Sequence, residues 1–431
     1  MPKSKLISVL SVSVIIIIFI GLIEVFSFLL LLLANSTLVN ESIRKSRLSQ
    51  LHELGLPDQY IPRGIQNSGP RSWPAMMSAS PAYKEFDWAT EFWMVEHKRY
   101  KSYSHEASNI FQPNVIWRNK PINNKFVKIN EEGIRNTCNS YMNSSKDTRN
   151  VFLFGGSTVY GTGVPDKFTI PSQLSKHLNE KGDIFYNVTN FGTGGFILEQ
   201  DMQLLFDEIR KGNLPDIAVF YHGVNDAYAG VYSPGKPGWY LGSEELKNKL
   251  YYSKSNIINN TWYEQLHAYE LLRHFKVKLL RMLYLTGQKD SEFYLDDYQQ
   301  RAGHFVGHYR ETIKIIKAVC DSYGIKVLFI WQPVLFYGNK PLNEFEKSMI
   351  DNPALLAIGT FRSKDGLYQK KAIETTYRLL EKTSLSLYPN FYNFSHIFDR
   401  SGNEPIYIDW MHLGPKGNDI VAREIANIIK H

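Results

Sequence analysis

Val151-Phe152-Leu153-Phe154-Gly155-Gly156-Ser157-Thr158-Val159-Tyr160-Gly161 is the stretch on which the reading of this chain turns. Four apolar residues in succession form the short run typical of a strand buried on both faces, and the two glycines that follow permit a tight exit from it. Ser157 is then presented at the next turn, where a helix N-terminus just beyond would favour developing negative charge. Two familiar motifs are excluded. Gly156 and Gly161 have phosphate-loop spacing, but Thr162 stands where that loop requires lysine. The hydrolase elbow G-x-S-x-G fails because Val159 replaces its second glycine. Gly-Gly-Ser alone is most often only a turn, so the weight falls on what surrounds it.

Beyond Asn150, short apolar runs alternate with longer amphipathic ones, the pattern of parallel strands crossed by helices. It predicts strands over residues 151–154, 185–188, 217–221 and 327–330, and helices around 171–181, 198–211, 312–322 and 416–430. Ligands bind at the carboxyl ends of such strands. After the second strand stands Asn190-Phe191-Gly192-Thr193-Gly194-Gly195, and after the third His222-Gly223-Val224-Asn225-Asp226. Near the end of the chain Asp409-Trp410-Met411-His412 precedes Leu413-Gly414-Pro415 and an amphipathic last helix.

These four blocks, in this order and at strand ends, resemble the SGNH (GDSL-type) hydrolase family over roughly residues 150–431. The Gly-x-Asn-Asp block and the closing Asp-x-x-His are the most specific. Asn130-Glu131-Glu132-Gly133-Ile134-Arg135, just upstream, is similar to a lead-in found in secreted members. The resemblance implies an α/β fold: a three-layer α/β/α sandwich on a short parallel sheet, flavodoxin-like in kind. It implies Ser157 as nucleophile, His412 as the general base that takes its proton, and Asp409 as the carboxylate that holds the imidazole tautomer. It further implies an oxyanion hole made of the Ser157 amide, the Gly195 amide and the Asn225 side-chain amide, with Gly194 in place of Gly195 if the block is shifted by one. No cofactor and no metal are implied. One departure stands out: the family usually has Asp before its serine, and here Gly156 stands instead.

The implied reaction is cleavage of an acyl ester through an acyl-enzyme. Two other outcomes stay open: transfer of the acyl group to a sugar hydroxyl of a cell-surface polysaccharide, or a retired enzyme that only binds glycan. The first shares its opening half with hydrolysis, so sequence does not separate them. Retention of Ser157, Asn225, Asp409 and His412 together argues against the second.

The rest of the chain frames this core. Residues 6–34 are almost uninterruptedly apolar, longer than a signal-peptide core and long enough to span a bilayer of ~30 Å, which predicts an uncleaved transmembrane signal anchor over residues 1–38. Glu24 interrupts it and is placed nearer one interface. Positive charges nearly balance across the helix, Lys3 and Lys5 against Arg44, Lys45 and Arg47; a large following domain nonetheless favours an extracytoplasmic catalytic part, periplasmic or extracellular. Residues 39–149 read as a stalk and an aromatic-rich, partly β segment. The Tyr-rich stretch of about 228–304 exceeds what the core needs and reads as an insertion, lid or substrate platform.

A net charge of +7, from 49 Lys and Arg against 42 Asp and Glu with no basic block, excludes nucleic acid as a partner and leaves an acylated glycan or lipid. Two cysteines, Cys138 and Cys320, exclude a disulfide framework and leave one bridge or a buried free thiol at Cys320. His304 and His308 have helical spacing for a metal but lack the Glu of a zincin. His222 is expected to bond within its loop, and Asp226 to order that loop through backbone amides.

Overall fold

The computed structural model describes Phe19 and residues 21–27, 76–101, 109–138, 147–180, 183–232, 297–351, 363–383 and 388–431. The chain divides into two compact units, Met1–Leu48 with Gly242–Phe293 and Ser49–Leu241 with Tyr294–His431. In the first, residues 21–27 are helical, and Phe19, Leu22, Ile23, Val25 and Phe26 are exposed. Among the described residues no helix is long and apolar enough to cross a membrane. The remainder of the expected anchor and most of the expected insertion, residues 233–296, lie outside the described residues.

The second unit is built on a five-stranded sheet of β1 (Asp147–Gly155), β2 (Ile184–Asn190), β3 (Ile217–His222), β4 (Lys326–Trp331) and β5 (Phe391–Asn393), in the order β2-β1-β3-β4-β5. All neighbours are parallel. This is the doubly wound order whose strand sequence reverses beside β1, and ligands bind at the carboxyl ends near that reversal. Both faces are covered, which is why β3 is buried along its whole length and why the central strands read as unbroken apolar runs. Register is fixed by side chains as well as by the backbone. Phe154, Phe220 and Phe329 occupy matched positions on β1, β3 and β4, and their rings stack at 4.9 and 5.6 Å.

Helices α1 (Ile170–Asn179) and α5 (Pro415–Lys430) pack together; α3 (Tyr298–Ser322) packs against α4 (Ser363–Lys382) and α2 (Leu198–Arg210). Local sequence sets their ends. The Thr169 hydroxyl accepts the Ser172 amide at the start of α1, and Pro415 opens α5, where a missing N–H costs nothing. Val421, Ala422, Ile425, Ala426 and Ile429 form the buried stripe of α5.

One sequence expectation is corrected. Helix α3 begins at Tyr298, not near residue 312, and its first turns bury Tyr298, Ala302 and Phe305. Together with Tyr228–Tyr232, whose Ala229 and Val231 are buried, these turns lie in the core. Of the two outcomes left open for the cysteines, the structure has the free thiol: Cys138 is exposed and Cys320 is buried in the core. His222 contacts Asp226 of its own loop, as expected, and reaches α2 as well.

The aromatic-rich stretch forms its own core. Tyr83, Phe92 and Trp93 are buried with Phe126, Tyr160 and Ile408, and edge-on pairs at 5.3 to 5.7 Å join Tyr83, Phe92, Trp93 and Phe126. After the helix Ala89–Lys101, two short hairpins, Asn109–Gln112 with Ile116–Asn119 and Ile122–Asn123 with Lys128–Ile129, lead into β1.

Candidate active site

Every block singled out from sequence lies at a carboxyl end of the sheet. β1 ends at Gly155, and Ser157 opens the single helical turn Ser157–Tyr160. The Ser157 amide is a first-turn donor, one of those a helix cannot satisfy internally. Ser157 is partly exposed, whereas Thr158, Val159 and Tyr160 behind it are buried.

His412 comes from the other end of the chain. The segment from Ile406 to Gly414 folds back on itself, with the Ile408 amide donating to His412 O at 3.0 Å and the Gly414 amide to Ile406 O at 2.8 Å. Glu346, fully buried, holds the base of this loop. Its Oε1 accepts the amides of Ile406 and Tyr407 at 3.1 and 3.2 Å, and its Oε2 is 2.6 Å from Lys340 Nζ. At the apex Asp409 Oδ1 accepts the amides of Met411 and His412 at 2.8 and 2.6 Å. Asp409 Oδ2 lies 2.6 Å from His412 Nδ1, and His412 Nε2 lies 2.7 Å from Ser157 Oγ.

Burial by itself would raise the pKa of Asp409; the charge of His412 and the two backbone amides outweigh it and hold the carboxyl below its ordinary range, so it is ionised. With Nδ1–H donating to that carboxylate, Nε2 is left to accept the Ser157 hydroxyl proton. Asp409 and His412 are both buried, so the line is shielded from water on all but the serine side.

The loop after β2 wraps this turn. The Thr193 amide donates to Gly155 O at 2.9 Å, and the Phe196 amide to Thr193 O at 3.2 Å. Gly195 has φ +78°, which a side chain would resist. Asn225, in the turn Val224–Ala227 after β3, donates through Nδ2 to Phe196 O at 3.0 Å, and an amide nitrogen carries a second N–H beyond that bond. A Cβ at Gly156 would stand 2.4 Å from Asn225 Nδ2. The departure from the family pattern at this position therefore makes room for the Asn225 amide beside the serine. We expect Gly156→Ala to push that amide aside and to lower kcat by ~10²-fold, the loss also expected of Asn225→Ala if its amide is an oxyanion donor. The double variant should be no slower than Asn225→Ala alone, because both changes remove the same group. Additive losses in the kinetic cycle would separate the two residues.

Beneath Asn225, Asp226 accepts the Leu198 amide at 2.8 Å and the Gly223 amide at 3.3 Å, tying the start of α2 to the turn after β3. His222 is buried between Asp201 Oδ2 at 2.9 Å and Asp226 Oδ2 at 3.4 Å, so its contacts run to α2 as well as to its own loop. Burial opposes charge on His222, but Asp226 and Asp201 more than offset it and raise the imidazole pKa. These contacts lie under the site and are not part of its surface. His308 pairs with Glu199 at 2.8 Å.

Residues that sequence reasoning passed over act through backbone carbonyls. Buried Arg118 donates to Phe191 O and to Thr193 Oγ1, and Asn119 to Gly192 O. Arg135, from the lead-in block, pairs with Asp166 at 2.8 Å and donates to the carbonyls of Tyr160, Gly161 and Val164 at 2.8, 2.8 and 2.7 Å. It thereby closes the C-terminal end of the turn that begins with Ser157.

The GDSL-like Lipase/Acylhydrolase family model matches residues 151–425, more than half of the chain. The chain belongs to the GDSL-like lipase/acylhydrolase family. Membership makes it a hydrolase acting on ester bonds. No curated protein matches this GDSL-like acylhydrolase. Among solved structures it is similar to Axe2, an acetylxylan esterase from Geobacillus stearothermophilus, at 11% identity over 67% of this chain and 96% of that one, with a TM-score of 0.32. It is also similar to a member of the lipolytic protein G-D-S-L family from Veillonella parvula DSM 2008, at 10% identity over 65% of this chain and 98% of that one, with a TM-score of 0.30.

Proposed function

We propose that this GDSL-like hydrolase cleaves acyl esters through an acyl-enzyme on Ser157. The observation that carries the reading is the continuous line Ser157 Oγ to His412 Nε2 at 2.7 Å and His412 Nδ1 to Asp409 Oδ2 at 2.6 Å. Ser157 Oγ attacks the ester carbonyl carbon as its proton passes to His412 Nε2; the carbonyl oxygen becomes an oxyanion facing the Ser157 and Gly195 amides and the Asn225 side chain. Collapse breaks the bond to the alcohol oxygen, which takes the proton from His412. Water, deprotonated by the same nitrogen, then attacks the acyl-enzyme, releases the acid and restores Ser157. Asp409 stays ionised throughout and stabilises the imidazolium. The test is release of free acid from a panel of acyl esters, with Ser157→Ala as the control developed in the Discussion. Acid release that is independent of Ser157 would sink the reading.

The same reading places the catalytic unit outside the cytoplasm on an N-terminal anchor, with an acylated glycan or lipid as substrate. It is supported by the apolar run of residues 6–34 and by the exposed Phe19, Leu22, Val25 and Phe26. A reporter fused after His431 is expected to be active if it requires export and silent if it requires the cytoplasm. The opposite pattern would overturn the placement.

A further inference from the structure

The loop from Phe191 to Phe196 is held from two sides, and the two sides hold different groups. Its amides are tied to the body: Phe191 N–H donates to Leu153 O at 3.0 Å, Gly192 N–H to Asn190 Oδ1 at 2.9 Å and Thr193 N–H to Gly155 O at 2.9 Å. Among the described residues the amides of Gly194 and Gly195 donate to no group. Its carbonyls are held by three consecutive residues of the strand Ile116–Asn119. Arg118 takes Phe191 O at 3.0 Å, Asn119 takes Gly192 O at 2.9 Å, and Trp117 Nε1 takes Gly194 O at 3.0 Å.

The Trp117 bond differs in kind from the other two. Gly194 O and the Gly195 N–H belong to one trans peptide plane and point in opposite directions, so a donor that fixes the carbonyl also fixes where the N–H points. That peptide is the middle of the turn Thr193 to Phe196, and Gly195 at φ +78° makes the turn type II. Types I and II differ by a flip of this central peptide, and glycine on both sides makes either orientation sterically open. Something outside the turn must choose. The Trp117 indole is buried and sits edge-on to Phe196 at 5.6 Å, so it cannot follow the peptide if it turns.

We propose that Trp117 is a positioning residue for the oxyanion hole: its indole N–H, bonded to Gly194 O, locks the Gly194–Gly195 peptide in the one flip that turns the Gly195 N–H away from Trp117 and leaves it free for the substrate oxyanion. This rests on the reading of Gly195 as an oxyanion donor. It gives the aromatic-rich segment before the hydrolase core a part in the chemistry.

The experiment uses the full-length chain with three replacements that separate shape from donor. Trp117→Phe keeps an aromatic ring without the N–H. Trp117→His keeps an N–H at the same place in a five-membered ring without the second ring. Trp117→β-(3-benzothienyl)alanine, introduced site-specifically, keeps the outline of tryptophan with sulfur in place of N–H, so its folding is not in question. The readouts are kcat and KM on an activated ester, melting temperature, and inhibition by a boronic acid. In the boronate adduct Ser157 Oγ bonds to boron, its proton passes to His412, and the boron becomes the tetrahedral anion that the oxyanion donors recognise.

Complete removal of one oxyanion donor costs ~10²- to 10³-fold in kcat, so a donor left free to flip should cost about tenfold. The Phe and benzothienyl variants are expected to lose that factor in kcat and in boronate affinity alike, with KM unmoved, while the His variant retains most of both. A benzothienyl variant with wild-type kcat and boronate affinity would overturn the proposal. So would equal losses in all three variants that track melting temperature, since those report packing. A wild type that neither turns over esters nor reacts with a fluorophosphonate would remove the functional reading and this proposal together, whereas an active wild type with an indifferent benzothienyl variant removes this one alone.

Discussion

Replacing Ser157 by alanine should remove ester hydrolysis almost completely, by up to ~10⁶-fold in kcat, the scale seen when a serine nucleophile is deleted from a triad enzyme. The hydroxyl is the one atom that Ser157→Ala removes, and it sits at the partly exposed head of a turn whose other residues carry the packing. Folding should therefore be preserved. A fluorophosphonate, which needs the activated oxygen and nothing of the natural substrate, should label the wild type and leave the variant unlabelled. Labelling of both chains to the same extent would take Ser157 out of its role, whatever ester activity is found. The donors around the site survive in the variant, so the residual rate above water reports what they contribute without the nucleophile.

Asp409→Asn should lower kcat by up to ~10⁴-fold while the melting temperature moves little. The carboxylate accepts the amides of Met411 and His412 on Oδ1, and His412 Nδ1 on Oδ2. An asparagine that keeps its oxygen on the two amides must turn its NH₂ toward the imidazole. His412 then answers with Nδ1 as acceptor and the proton on Nε2, and that tautomer cannot receive a proton from Ser157. The loop keeps its amide bonds and its hold on Glu346, so the loss falls on rate. Measurement of kcat/KM across pH beside a melting curve decides the matter. Near wild-type turnover, or a loss that follows unfolding, would leave Ser157 and His412 as a dyad.

What could be read from sequence follows from where the information is stored. The central strands announce themselves because a strand covered on both faces must be apolar at every position, as β3 is. β5 gives no such signal: Phe391–Asn393 has three residues, and so short a segment has no period. The early turns of α3 were hidden because polar Gln299, Gln300, Arg301 and His304 separate the buried Tyr298, Ala302 and Phe305. At the site, Ser157, Asn225, Asp409 and His412 stand in local blocks whose chemistry is in their side chains. Trp117, Arg118, Asn119 and Glu346 instead reach backbone groups far along the chain, such as Gly194 from Trp117 and Ile406 from Glu346. Every residue carries those backbone groups, so nothing in the one-dimensional pattern marks which will be gripped. Arg135 was visible only as the last letter of a lead-in block, with no hint of its acceptors.

Arg135 also bears on where such a chain can be cut. The family match begins at residue 151, after Arg135, yet that guanidinium serves the carbonyls of Tyr160, Gly161 and Val164 and the carboxylate of Asp166. A chain begun at the family boundary would part the donor from its acceptors. Each buried acceptor left unmet costs ~1–3 kcal/mol, and a stranded carboxylate costs more, against a total stability of ~5–15 kcal/mol for a domain. The upstream segment and the hydrolase core thus fold as one: a chain cut between them keeps little margin to fold.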